Sequence, residues 1–294
     1  MSDELSSDSR RAAALWMIFG SLWFGTMNAL VKWTSEHADV SMIILVRSAV
    51  IAFAVAAFAA SRGISLRVNN RKTMFLRCST GLVAMFLFFT AIAKIPLGQA
   101  VVLQKTSPLF IALLSGKVLA ERVSPRVALL VITAFAGIVL IVSPDLSSVE
   151  PDTLIGLGAG LFAALAMMYV RELRNTDPTP TVVFWFAAAC VAGSVVQAAP
   201  DLFSLDTKTL AALVGIGICG VGGQVGITMA YQKADAAWVS AFSYLSVIVA
   251  TFYGFTVFGE TLSTADWIGG LLIVGSGVAM MLMAPAGDEE TSQH

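Results

Sequence analysis

Two cations stand where the chain is otherwise almost wholly apolar: Arg47 in IILVRSAVIAF and Lys105 in VVLQKTSPLF. All 19 Asp and Glu residues fall in links, tails or the last turn of an apolar run, so no carboxylate of the protein shares that depth. A charged side chain at the centre of a membrane helix costs about 2.5–3.5 kcal/mol, which keeps it turned to a bundle interior or to water. Each cation lies about seven or eight residues into its run, roughly 10–12 Å deep at 1.5 Å per residue. Both therefore fit one level, and an anionic group of a solute would complete them. Plainer roles stand beside this one. Arg47 has five N–H groups to give to backbone carbonyls between helices. Lys105 is free to shed its proton or to snorkel toward the interface.

The rest of VVLQKTSPLF adds polar backbone. Pro108 has no N–H, so the carbonyl of Gln104 loses its helical partner and the helix bends there, with or without a solute in contact. Further polar or aromatic candidates within apolar runs are Asn28, Trp23, Gln224, Ser243 and Tyr244. Packing and interfacial anchoring are the simpler readings of the aromatics. Together these residues would wall a pocket for the apolar part of a solute.

Other chemistries are excluded by composition. His37 lies in a link and His294 in the tail, which leaves no intramembrane histidine for a metal or a nucleophile–base pair. Cys78, Cys190 and Cys219 form no C-x-x-C pair and read as small apolar filler. No Walker P-loop is present, so this chain hydrolyses no nucleotide to drive a cycle. With a net charge of -1 and no basic tract there is no nucleic-acid surface. The sequence predicts a protein that is not an enzyme and that needs neither cofactor nor metal.

The elements that must position these residues are transmembrane helices. The chain is 57% hydrophobic and 13% charged, with a mean hydropathy of +0.82. About 20 apolar residues cross a bilayer core as a helix, and ten such runs occur: 12–34, 39–60, 73–94, 98–117, 126–144, 153–172, 180–200, 209–232, 236–258 and 265–284. They run too long, and without the alternation, for barrel strands. The polar opening MSDELSSDS is not a secretory signal. With the N-terminus inside, thirteen Lys and Arg residues, Arg77 among them, fall on the inner side and three, Lys32, Lys94 and Lys208, on the outer. That bias predicts cytoplasmic tails, residues 1–11 and 285–294, in an inner or plasma membrane.

The chain also repeats itself. A shift of 139 residues places AIAK (91–94) on AYQK (230–233), AERVS (120–124) on GETLS (259–263), Gly81 on Gly220, and Val31-Lys32 on Val170-Arg171. Residues 12–144 and 153–284 are then two copies of one five-helix unit. Five is odd, so the second copy crosses the membrane inverted, a design that suits alternating access to a midplane site. Glu121 and Glu260 correspond, and each is expected to face water and to cap or pair locally.

On FLFFTAIAKIPLGQAVVLQKTSPLFIALLSGKVLAERVSPRVALLVITAFAGIVLI, with Ser107-Pro108, Glu121 and Gly137, the chain resembles the drug/metabolite transporter superfamily, EamA type. The resemblance spans essentially all ten runs. It implies an all-α membrane protein of ten helices in two inverted five-helix repeats, cytoplasmic termini, and a central cavity reached from either side. Val247 stands where many relatives repeat the proline, so a kink in the ninth helix is not implied. Export of small carboxylate-bearing solutes is the expected activity, amino acids first, with aromatic amino acid exporters as the nearest analogues. Export by facilitated diffusion or exchange is as consistent as antiport. Uptake or exchange of a larger anionic metabolite, nucleotide-linked or adenosyl, is the alternative within transport, and a scaffold or receptor without flux the alternative outside it.

Overall fold

The computed structural model describes residues 2–107, 110, 125–142, 150–173, 176–201, 205–233 and 245–283. Ten α-helices hold nearly all of them: α1 (Ser2–Thr34), α2 (Val40–Arg62), α3 (Arg71–Lys94), α4 (Leu97–Gln104), α5 (Pro125–Val142), α6 (Pro151–Leu173), α7 (Thr179–Ala198), α8 (Thr207–Lys233), α9 (Leu245–Val257) and α10 (Thr264–Met283). A 3₁₀ turn, Ala199–Asp201, extends α7, and no strand occurs among the described residues. Six helices are long and apolar enough to cross a membrane within these residues: α1, α2, α3, α6, α7 and α8.

The helix ends follow local chemistry. Gly63 takes φ +63° after α2, and its N–H and that of Ile64 return to Ala60 O and Ala59 O, which closes the last turn with a left-handed residue. Asn70 caps α3 by accepting from Thr73 N–H at 3.2 Å. At α10, Ser263 Oγ accepts from Asp266 N–H while Asp266 Oδ2 accepts from Ser263 N–H, a reciprocal box. These caps spare backbone donors that lipid would leave unsatisfied.

Packing runs between the repeats. The principal contacts are α1 with α8, α3 with α6, α2 with α7 and α5 with α10, then α2 with α8, α3 with α7, α1 with α9, and α4 with α6 and α9. A step of five helices exchanges α1·α8 with α6·α3, α2·α8 with α7·α3, and α1·α9 with α6·α4. It returns α2·α7, α4·α9 and α5·α10 to themselves. The two five-helix units are therefore interleaved around a pseudo-two-fold relation.

The closest crossing joins α1 and α8. A Cβ on Gly226 would stand 2.6 Å from Gly20 Cα, and one on Gly222 would stand 2.7 Å from the Trp23 ring. Lipid offers no hydrophobic force between helices, so such close backbone approach supplies the packing. Large apolar side chains cover the outside, Phe53 at 78% and Leu271 at 74% exposure. In water that surface would be a liability; against acyl chains it is the solvated face.

Replacing Gly226 with leucine forces α1 from α8 and costs about 1–3 kcal/mol or more. Gly275→Leu is the control, since a Cβ at Gly275 meets nothing within 4 Å. Thermal unfolding in detergent is expected to show a clear fall for the first and little change for the second.

Candidate functional site

Arg47 is 6% exposed and lies where five helices converge. Its Nε approaches Met27 Sδ of α1 at 3.3 Å, its Nη1 approaches Met85 Sδ of α3 at 3.6 Å, and its Cζ lies 5.9 Å from the Phe89 ring centre. A Cβ on Gly220 of α8 would be 3.4 Å from Nε. Thioethers and a ring hold a guanidinium in place without neutralising it. Among the described residues no carboxylate pairs with it.

Lys105 follows the last residue of α4. The backbone tightens there, with Thr106 N–H donating to Leu103 O at 3.1 Å and Thr106 Oγ1 to the same oxygen at 2.6 Å. This break packs on α6, where a Cβ on Gly156 would touch both Leu103 and Ala91, and one on Gly160 would strike Thr106. Leu103 thus lies level with Ala91, which brings half-buried Lys105 near the level of Phe89 and of Arg47. Lys105 and Gln104 make no side-chain hydrogen bond among the described residues. Pro108, Ser243 and Tyr244 lie outside them.

Asn28 is 4% exposed on α1, and its Oδ1 is buried without a partner. It shares a helix face with Gly25, which abuts Val249 of α9, and with Lys32. Trp23 lies against Gly222, on the α8 side of α1. Gln224 is half-buried on α8. One face of α1 thus serves α9 and another serves α8, with Met27 reaching Arg47.

Two sequence expectations need correcting. Arg77 counts among the inner-side charges near the start of the third run, where a cation is expected to flank the membrane, but it is only 6% exposed inside the bundle. Its Cζ stacks 4.1 Å from the Phe186 ring centre of α7, and its Nε is buried without a partner. Its partner ring lies on α7, which no local pattern of the third run announces. Glu260 does not face water: its side chain is 14% exposed and pairs with Lys32 at 3.0 Å. Lys32 Nζ also donates to Ile95 O at 2.8 Å, and Glu260 Oε2 accepts from Leu97 N–H at 2.7 Å. Glu121, its repeat counterpart, lies outside the described residues. The three cysteines are buried and free, as filler should be.

The two faces differ at corresponding links. On the face where the chain begins, the α2–α3 and α6–α7 links are clasped: Asp177 accepts from Asn69 N–H at 2.7 Å and Asn70 N–H at 3.2 Å, and Trp185 Nε1 donates to Leu66 O at 2.8 Å. The repeat maps these onto the α7–α8 and α1–α2 links of the opposite face. There a cleft of about 460 Å³ opens between Ser35–Asp39 and the Ala198, Leu205 and Asp206 side. Among the described residues, one of these related joints is hydrogen-bonded across and the other borders a cleft.

Comparison with known proteins then bears on the whole chain. The profile of the EamA-like transporter family matches residues 11–143 and 153–283. A pseudopaline exporter of Pseudomonas aeruginosa is 28% identical over 93% of this chain and 97% of its own. A riboflavin transporter of Vibrio cholerae is 27% identical over 89% and 90%. One solved crystal structure has the same fold, with a TM-score of 0.61 at 22% identity over 92% of this chain and 97% of that one.

The clasp carries a pH signature. Burial alone would raise the Asp177 carboxyl, but hydrogen bonds from Asn69, Thr176 and Asn70 outweigh it and hold the group below its ordinary value. Its stabilisation is therefore complete above the ordinary carboxylate value of 3.8 and is lost as pH falls through the lower folded one. Asp177→Asn is expected to cost about 1–3 kcal/mol at neutral pH, and to remove that part of the acid sensitivity in thermal unfolding measured from pH 7 downward. At the other face, a double-mutant cycle of Lys32→Gln and Glu260→Gln should return a coupling of about 1 kcal/mol or more, against near zero for the exposed Lys94–Asp152 pair.

Proposed function

This chain belongs to the EamA-like transporter family, and we propose that it carries small carboxylate-bearing organic solutes, amino acids first among them, across the cell's inner membrane by alternating access, with export favoured. The observation that carries the substrate class is Arg47: a guanidinium buried among five helices, held by sulfur and ring contacts, with no acid beside it among the described residues. A buried charge is costly unless paired, and a carboxylate accepts a guanidinium's N–H groups in bidentate fashion. Lys105, brought near that level by its packing on α6, is a further cation of the path in this reading. Asn28 contributes an unsatisfied acceptor suited to a solute ammonium, and Trp23, Gln104 and Gln224 line the approach from α1, α4 and α8. Ser243, Tyr244 and Pro108, outside the described residues, belong to the same site in this reading.

Orientation follows from the charge bias: tails 1–11 and 285–294 lie in the cytoplasm, and repeats 12–144 and 153–284 rock against each other. The clasped α2–α3 and α6–α7 joint is then the cytoplasmic side, and the cleft at Ser35–Asp39 opens outward. The named pseudopaline exporter and riboflavin transporter among its relatives accord with an organic metabolite as cargo.

Purified protein in liposomes, assayed by counterflow with labelled amino acids and their amides, tests this. Flux is expected for the acids above empty vesicles, and Arg47→Gln should lower it by about tenfold or more, the loss of one charge-assisted contact, with a smaller effect on amides. Lys105→Gln should show the same bias. No flux for any carboxylate, or equal losses for acids and amides, removes the anion site.

A further inference from the structure

Arg77 has a place in the repeat as well as in the bundle. The shift of 139 residues that aligns Gly81 with Gly220 also sets Arg47 on Phe186. The structure uses both correspondences. Gly220 of α8 leaves room for the Arg47 side chain, and Gly81 of α3 leaves room for the Phe186 ring, which a Cβ there would approach to 2.7 Å. The second half thus has a phenyl ring where the first has a guanidinium. Arg77 makes good the difference: its Nη1 lies over the same Gly81, and its guanidinium stacks on Phe186 at 4.1 Å. Each of the two repeat-related glycine notches therefore holds a guanidinium, Arg47 of α2 at Gly220 and Arg77 of α3 at Gly81, and both arginines come from the first half.

The two charges lie along one face of α3. Arg77, Gly81, Met85 and Phe89 recur every fourth residue and so line a single stripe. Arg77 is fixed at the level of Gly81, and Arg47 between Met85 and Phe89. At 1.5 Å per residue the guanidiniums are about 10 Å apart along the helix. Both are 6% exposed, Arg77 Nε has no partner, and among the described residues neither meets a carboxylate. Cys190, one turn from Phe186 on α7, lies within electrostatic reach of both.

We propose that Arg77 is a second anion-binding residue of the transport path, paired with Arg47, and that the preferred solute carries two anionic groups about 10 Å apart. The proposal rests on the anionic-solute reading above and narrows it. One end of the solute meets Arg47 beside Gly220 and the other meets Arg77 beside Gly81. A dianion spanning the two holds together charges that would otherwise repel across the bundle.

The test measures binding to purified wild-type protein by isothermal titration with octanedioate, its monoamide and pentanedioate, followed by proteoliposome counterflow of the same compounds. Octanedioate is expected to bind about tenfold or more tightly than its monoamide, and more tightly than pentanedioate, which is too short to span. Arg77→Gln should reduce octanedioate affinity about tenfold more than that of the monoamide, and Arg77→Lys should restore part of the difference. If Arg77→Gln does not fold, Phe186→Leu reads the same preference, because it frees the guanidinium from its stack, and a severalfold fall is expected. Equal affinity of the wild type for octanedioate and its monoamide overturns the proposal. So does an Arg77→Gln or Phe186→Leu variant with the preference intact or with both affinities lowered alike, which is the mark of a purely structural arginine. Octanedioate binding that depends on Arg47 but not on Arg77 removes this proposal alone, whereas carboxylate binding indifferent to Arg47 removes the anion site itself.

Discussion

Backbone contact between Gly20 of α1 and Gly226 of α8 sets the geometry of the whole bundle. Lipid cannot drive helices together as water does, so association depends on dispersion contacts made at close range. Wherever the sequence places glycine or alanine at a crossing, the two helices come near enough to exclude lipid, and these crossings join the first repeat to the second. Among the described residues neither five-helix unit has an extensive interface within itself, and the larger contacts join one to the other. The interior is consequently a shared property of both halves, and Arg47 sits there because α1, α2, α3, α7 and α8 close around it.

The same interleaving explains how one scaffold can face two ways. Every principal contact has a repeat-related counterpart or is its own counterpart, so shutting one joint and parting its equivalent needs only a relative tilt. The clasp through Asp177 and the cleft beside Asp39 and Asp206 are such a pair. Hydrogen bonds of this kind are exchanged for water at little net cost, which suits a joint that must open repeatedly. Phe89, Leu97, Leu103 and Ile44 are fully buried in the apolar cluster at the core.

Much of this is legible in the chain. Ten apolar runs, the doubled unit and the scarcity of deep acids are written in residue type and spacing, because lipid enforces length and hydropathy strictly. Arg47 and Lys105 stand out for the same reason. Arg77 does not, since a cation near the start of a run looks like a flanking charge, and its burial depends on a ring on α7 that no local pattern announces. Glu260 is hidden for a similar reason: a turn glutamate next to Gly259, whose φ is +62°, resembles any solvated link until the fold brings Lys32 beside it. Helix boundaries and partners between distant segments are tertiary facts. The hydropathy of one run does not encode which residue will face it.

Helix α4 has a mechanical meaning that its brevity obscures. Its first free N–H, on Leu97, is held by the carboxylate of Glu260, an anion seated on the positive end of the helix dipole. Its far end is Lys105. The segment between is a rigid rod of eight residues, about 12 Å long at 1.5 Å per residue, hinged at Pro96 on one side and at the break before Thr106 on the other. Glu260, which also pairs with Lys32 of α1, and half-buried Lys105 thus stand at the two ends of one short helix.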